Sequence, residues 1–558
     1  MKKVSDFKKN INKIETFITD KEWQTIFKIE SLNNPKVEKD IIKYINDITS
    51  TPVTKINFNE LFKKIRKQYF FHEKQAEKEI DIVKKWKRYR QAYIYYGFIE
   101  VLTEGSIITK KILNHFKKVY KNEYLTELKK IDNNMPSALT NIKQEKVSDI
   151  NQGDPYIKIY QTMKIWQDDQ HQFHDNVIEE KFIKYQKEFK EYVFKNYPHL
   201  NNYNDNDLLT LIELDNKPII KLEELEPYIH IGLKKSLAKV IGGKALGLAL
   251  LKHAGLNVPK TCIIPVSSLT KKYYLDYIYS FNYNTYSVRS SATVEDNQKN
   301  SFAGIFKTKL KIPKENLIES IKYVEESLFS KEAILYSTHF KTDKPYMSVI
   351  IQEYIEPDYA GVWIGKGLKS GILEYVSGCG EALVSGKRTP ISEKKYNLDG
   401  IRVKEQSLWI TFINTQKILK NTGDFEWAIK NNRLYWLQYR PVTVKIKYSQ
   451  SKNSNCLKGN PTSPGIVEGK PYFFNEPKKC HFQGILLADY TDPEWLPLMV
   501  EASGIITAEG GFLSHAAIIA RELGKPCICG VGYETIDKLK NVEYLEMNGT
   551  TGNVTIIK

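Results

Sequence analysis

Residues Glu509–Cys527 read EGGFLSHAAIIARELGKPC. Two glycines and a serine lead into one histidine, His515, and an apolar stretch with helical spacing follows. A histidine that only fills a core needs no such approach, whereas one that must meet a phosphate does. If Ser514 starts the helix, His515 lies in its first turn. Unpaired backbone N–H groups and the positive end of the helix dipole there favour an anion and oppose an imidazolium. A neutral imidazole, with an ordinary pKa of ~6.5, is then available as a nucleophile near neutral pH. Gly510 and Gly511 permit positive φ and close approach of a bulky partner. From these residues alone, a histidine capping a helix beside a glycine turn competes equally.

The chain has 558 residues, too many for one core, and its 41% hydrophobic and 27% charged composition suits several globular domains. The N-terminal MKKVSDFKKNINKIETF has charge but no apolar core region, which argues against a secretory signal. No uncharged apolar run reaches the roughly 18 residues that cross a bilayer. Six sparse cysteines (Cys262, Cys379, Cys456, Cys480, Cys527 and Cys529) fit reduced thiols and a cytoplasmic location, and Cys527-x-Cys529 is a weak metal signal. The net charge of +17 is scattered rather than gathered into basic runs with stacking aromatics. Small phosphorylated anions are therefore the expected partners, rather than nucleic acid or a membrane.

Residues 1–225 read as helix after helix. Ile82, Trp86, Tyr89, Tyr93 and Tyr96 follow a 3/4 spacing, as do Ile159, Met163, Trp166, Gln170 and Phe173. From about residue 232 to 446, short β-branched strands alternate with helices and glycine turns, which predicts an α+β domain. A polar stretch at 447–459 reads as a linker, and 460–558 as a compact α/β unit. The fold class expected is multidomain α/β: an N-terminal all-α domain, an α+β domain and a C-terminal α/β domain.

Three motifs fill the middle domain. KVIGGKALGLALLKHAGLNVP brings backbone close to a ligand and supplies Lys244 as a point charge. YSVRSSATVEDNQKNSFAGIF adds Arg289, with its fork of donors, and a glycine-ended loop able to fold over phosphates. In GDFEWAIKNNRLYWLQYRPVT, two strands joined at Asn431–Asn432 would place Glu426 near Gln438. A carboxylate and an amide oxygen suit Mg²⁺, which also takes water and nucleotide oxygens. Taken singly, each of these residues has an ordinary reading as a surface ion pair or solvated charge.

The segment TDPEWLPLMVEASGIITAEGGFLSHAAIIARELGKPCICGVG, with SPGIVEGKPY before it, resembles the swivelling phosphohistidine domain of the phosphoenolpyruvate-utilising enzymes. That family includes pyruvate phosphate dikinase, phosphoenolpyruvate synthase and rifamycin phosphotransferase. Leu513 stands where many relatives have threonine. Residues 235–445 resemble the family's ATP-grasp-type nucleotide domain. The resemblance implies that His515 is the catalytic phosphate carrier and that Lys244, Arg289, Glu426, Gln438 and Arg440 contact ATP. Glu426 and Gln438 then hold Mg²⁺, and Gln352 and Glu353 fall on the strand and hinge beside adenine. The implied reaction is ATP + acceptor + H₂O → AMP + phosphate + phospho-acceptor, with the β-phosphoryl carried on His515 and the linker letting the last domain swing.

The acceptor is open. Pyruvate-using relatives carry a barrel after the histidine domain, and this chain runs only about forty residues past His515. By elimination the helical domain is the candidate acceptor site. Within it, WQDDQHQFHDN gathers Asp168, Asp169, His171, His174 and Asp175 at helical spacing. That patch could activate an acceptor hydroxyl or bind a metal, or be a solvated polar face. The competing functions are a phosphoenolpyruvate synthase-like enzyme with its pyruvate site on another chain, and a non-enzymatic phosphocarrier.

Overall fold

Tyrosine and tryptophan at nearly every turn from Trp86 to Tyr96 would be costly on a surface helix, and this segment is enclosed. In a computed structural model, the described residues are 34–104, 175–200, 205–280, 282–295, 304–379, 406–441, 457–512 and 514–558, with short pieces between them. They form two compact units, Met1–Glu213 and Leu214–Lys558.

In the first unit, α1 (Pro35–Ser50), α2 (Phe58–Lys78), α3 (Ile82–Glu104) and α4 (Asp175–Asn196) are the long helices among the described residues. Asn34 and Asn57 cap α1 and α2 by accepting backbone N–H groups. The predicted stripe underestimates α3. Ala92, Ile94, Tyr95, Phe98 and Ile99 are buried as well as Trp86, Tyr89 and Tyr96, as are the polar Arg90 and Gln91, so from Tyr89 to Ile99 the helix is buried nearly all round. Ile159, Met163 and Trp166 are buried as their spacing required. Asp168, Asp169, His171 and His174 lie outside the described residues, as do Gln170 and Phe173; Asp175 is the first residue of α4.

The second unit begins with β1 (Ile220–Lys221), α5 (Lys234–His253), β2 (Thr261–Ile264), β3 (Tyr286–Ala292) and β4 (Thr308–Ile312). Then come α6 (Leu317–Glu326), α7 (Lys331–His339) and β5 (Met347–Glu353). The strands form one antiparallel sheet in the order β1-β2-β5-β3-β4. A second antiparallel sheet has the order β12-β11-β6-β7-β8, from β6 (Tyr359–Gly367), β7 (Ser370–Ser377), β8 (Ile391–Glu393), β11 (Gly423–Lys430) and β12 (Arg433–Pro441). The short ladder β9 (Arg402–Val403) and β10 (Gln406–Ser407) leads into α8 (Leu408–Leu419).

The last hundred residues contain β13 (Leu457–Lys458), β14 (Asn460–Ser463), β15 (Ile466–Gly469), β16 (Pro471–Phe473), β17 (Ile485–Ala488) and β18 (Gly504–Thr507). They continue with α9 (His515–Glu522), β19 (Cys527–Cys529), β20 (Leu545–Asn548) and β21 (Asn553–Ile556). Strands β16 to β19 are parallel neighbours, with β14 antiparallel on the β19 edge, and the remaining strands form a four-stranded sheet. Of the expected linker, Leu457–Lys458 already pairs with β21.

Candidate functional site

The strand pair β11–β12 shows why one half of the site assembles. Asn431 and Asn432, both at positive φ (49° and 55°), make the two-residue turn that sets the register. That register puts Glu426 opposite Gln438 and Asp424 opposite Arg440. With side chains alternating along a strand, these four share one face. The other sheet supplies Arg289 from β3. Its guanidinium donates to Leu437 O at 2.8 Å, Glu426 Oε2 at 2.8 Å and Gln438 Oε1 at 3.0 Å, so one side chain joins the two sheets. Arg440 reaches Asp424 at 3.4 Å, and burial pushes the Asp424 carboxyl up despite that ion pair.

Helix α5 breaks at Gly242 (φ 74°, ψ 171°). A Cβ there would stand 1.9 Å from Ser291 O, so only glycine lets the helix touch β3 at this point. Ser291 Oγ accepts the Ala245 N–H at 3.0 Å, tying the start of the second helical segment to that strand. Lys244 Nζ follows from this contact. It donates to Ser290 Oγ at 2.9 Å and to Glu295 Oε1 at 2.8 Å. Gln352 and Glu353 sit farther along β5, where Ser287 and Tyr286 of β3 face them and Arg289 faces Ile350. Gln352 is buried, and its amide donates to Thr261 at 2.9 Å; Glu353 is half-buried.

The histidine end is built differently. Adjacent parallel strands β17 and β18 deliver their following loops to the same edge, the carboxyl end where such sheets bind ligands. One loop brings Thr491 and the other brings His515, the first residue of α9. Thr491 Oγ1 lies 3.0 Å from His515 Nδ1. Ser514 is the N-cap residue, but its hydroxyl donates to Gly511 O at 2.9 Å instead of capping the helix. His515 is 5% exposed, and burial lowers its pKa to about 3. The sequence led to a neutral imidazole through the helix dipole; burial is the cause found here. Among the described residues, the ring's buried Nε2 has no hydrogen-bond partner.

The two glycines have separate reasons. Gly510 adopts φ 111°, open only to glycine, whereas a Cβ on Gly511 would stand 2.7 Å from the Glu374 carboxylate of β7. Both Glu374 oxygens accept the Phe512 N–H, at 3.2 and 3.3 Å. Phe512 and Ile518 pack against Val362, Ile364, Ile372 and Val376 of the second sheet. Ala516, Ile519 and Ala520 join the same apolar cluster as Phe302, Ile305 and Tyr336 of the nucleotide half. The histidine end is therefore docked against the two antiparallel sheets and their helices. A Cβ built on Gly304 would lie 3.8 Å from His515 Cδ2.

Residues 266–399 match the AMP/ATP-binding domain of pyruvate phosphate dikinase, and residues 482–552 match the mobile domain of the phosphoenolpyruvate-utilising enzymes. Both are domains of the phosphoenolpyruvate-utilising enzymes. His515 falls inside the mobile-domain match. Lys244 precedes the nucleotide-domain match, and Glu426, Gln438 and Arg440 follow it. A probable phosphoenolpyruvate synthase of Methanothermobacter thermautotrophicus is 31% identical over 48% of this chain and 46% of its own length. The phosphoenolpyruvate synthase of Pyrococcus furiosus is 30% identical over 48% of this chain and 40% of its own. The chain thus spans less than half the length of these relatives. Among solved structures, D-alanine–D-alanine ligase from Helicobacter pylori is 15% identical, with a TM-score of 0.22 over 37% of this chain and 60% of that one, a likeness too slight to carry argument.

Sequence reasoning overlooked Asp424, Glu295, Thr491 and Glu374. Asp424 was legible as a D-x-E strand facing Q-x-R, and Thr491 as the polar residue opening TDPEWLP. Glu374 carried no local signal. Among the described residues no cluster of three or more histidines, cysteines or carboxylates gathers, so Cys527-x-Cys529 makes no metal site there. Both cysteines are buried on β19, with their sulfurs 3.6 Å apart. In the described part of the helical unit, His72 is buried, stacked on Tyr95 at 5.5 Å and lowered to about 4 by burial, a titratable group the spacing did not single out. No described helix is long and apolar enough to cross a membrane.

Proposed function

We propose that this chain is a dikinase-type phosphotransferase in which His515 takes the β-phosphoryl of ATP and hands it to a small-molecule acceptor. One observation carries the reading: a buried, neutral imidazole whose Nε2 has no partner among the described residues lies beside Gly304, in the same compact unit as Lys244 and Arg289. When Nδ1–H donates to Thr491, the lone pair on Nε2 is left free for attack. Attack forms the N–P bond as the bond from the β-phosphorus to the AMP oxygen breaks. Water then removes the terminal phosphate, leaving phospho-His515, AMP and inorganic phosphate.

Lys244, Arg289 and Arg440 are proposed to neutralise the triphosphate, which requires each to loosen its present carboxylate partner. Among the described residues, Arg289 Nε and Asp424 Oδ1 are buried without a partner, which suits a site completed by a ligand. Glu426 and Gln438 present one carboxylate and one amide oxygen side by side, a donor set that fits Mg²⁺. A Mg²⁺ bound there supplies charge neutralisation of the phosphates and orients them. Gln352 and Glu353, at the far end of β5, are proposed to line the adenine side.

Residues 1–225 are proposed to bind the acceptor, and 447–459 to be the hinge about which residues 460–558 swing. Asp168, Asp169, His171, His174 and Asp175 remain candidate acceptor contacts. Because the relatives are named phosphoenolpyruvate synthases, pyruvate is the first acceptor to try. The test is AMP formation from ATP with and without pyruvate and a panel of hydroxyl and amide metabolites, followed by phosphorus NMR of the product. AMP release that no small molecule stimulates would favour a phosphocarrier instead.

A further inference from the structure

We propose that the Tyr336 hydroxyl is a positioning device that ties the seating of α9, and with it His515, to the backbone conformation at Phe302 and Gly304. The inference rests on the proposed role of His515. Tyr336 sits on α7 with no exposed surface, its ring 4.3 Å from that of Phe302 and 4.5 Å from that of Phe340. Its hydroxyl accepts the Phe302 N–H at 3.4 Å and donates to Glu522 Oε2. A phenol can do both at once, while a phenylalanine would fill the same space and do neither.

The two partners belong to the two parts that must cooperate. Phe302 holds φ 51°, a left-handed conformation that a bulky residue keeps only when its surroundings impose it. Two residues on, Gly304 (φ 74°) faces the His515 ring. Glu522 is the last residue of α9, two turns from His515, and Glu374 grips the other end of that helix through Phe512. The histidine helix is thus held at both ends by polar contacts. The Tyr336 contact is the one that also reaches the Phe302 backbone. A change in that backbone alters what the hydroxyl accepts, and so what holds Glu522.

The test compares wild type with Y336F, E522Q and E522A, using labelled ATP for the rate of phosphoenzyme formation and backbone hydrogen exchange over residues 515–522 with and without AMP-PNP. In Y336F the maximal rate should fall about tenfold, the loss expected for one hydrogen bond to a charged group, while half-saturating ATP stays within about twofold. Exchange over α9 should rise and cease to respond to AMP-PNP. E522Q, whose amide oxygen still accepts from Tyr336, should stay near wild type, and E522A should behave like Y336F. A Y336F protein with the wild-type rate and a nucleotide-responsive α9 overturns the inference. So does a wild-type α9 that ignores AMP-PNP, or an E522Q as damaged as E522A. If wild type itself forms no phosphoenzyme, the proposed function fails, and the exchange comparison still decides this coupling on its own.

Discussion

The strand pair β11–β12 and the loop before α9 handle polar groups in opposite ways. Around β11–β12, Arg289 and Arg440 are matched by carboxylates or amide oxygens within 3.4 Å. Around His515, polarity is removed: the ring is buried, and one nitrogen is left without a partner. Paired charges in a cleft can be exchanged for those of a triphosphate and its metal at modest net cost, because partners are swapped and not abandoned. A desolvated neutral imidazole cannot bind charge that way, but it stays unprotonated and nucleophilic across the physiological range. On the proposed function, the first region holds a polyanion and the second accepts a piece of it.

The contrast can be broken from the charged side first. E426A removes the carboxylate that pairs with Arg289 and one of the two candidate Mg²⁺ oxygens. Phosphoenzyme formation from ATP should fall by about 10²–10³, the scale for losing a preorganised electrostatic group at a reacting phosphate. Stopped-time labelling checks this, and excess Mg²⁺ should restore only part of the rate.

The next largest effect is steric. In G511A, the new Cβ meets the Glu374 carboxylate, which must retreat from the Phe512 N–H. We expect a loss of about tenfold or more in phosphoenzyme formation with unchanged ATP binding, since a misplacement of about 1 Å can cost 10²-fold. Equilibrium nucleotide titration beside the labelling assay separates the two. An equal loss of ATP affinity would mean that docking and nucleotide binding are not separate.

T491V should be milder. It keeps the shape, removes the partner of Nδ1 and leaves the ring free to turn. The rate should drop by about tenfold, in line with the cost of one buried hydrogen bond. Circular dichroism melting should show a folded protein.

The smallest effect concerns pH. The folded His515 pKa lies near 3, below the unfolded value of ~6.5. Between these values the unfolded chain binds a proton that the folded chain does not, so His515 contributes stability that is complete above about 6.5 and is lost as pH falls toward 3. H515Q should therefore lose less stability than wild type between pH 6.5 and 5 in urea titrations. A wild-type curve as flat as that of H515Q over this window would mean that the imidazole is not buried as described.

Much of this was legible in the sequence, for physical reasons. The glycine pair before Ser514 announced a close approach, and the approach exists, although to a carboxylate of another sheet. The Asn–Asn turn fixed one register, and that register alone placed Glu426 beside Gln438. The 3/4 stripe on α3 revealed a helix but not how deeply its second half is enclosed, because a helix buried on all sides, Arg90 and Gln91 included, dilutes its own periodicity. Contacts formed between segments far apart in the chain gave no local sign. Lys244 with Glu295, Glu374 with Phe512 and Tyr336 with Glu522 depend on how sheets and helices meet, and no spacing records that.

The most direct measurement follows the β-phosphorus. Incubating wild type and H515N with ATP labelled at the β position, then locating acid-labile, base-stable label by peptide mapping, asks whether one imidazole carries the group. The account predicts label on the peptide containing His515 in wild type, none in H515N, and AMP formed in step with it. Label retained by H515N, or label arising only from the γ position, would contradict it.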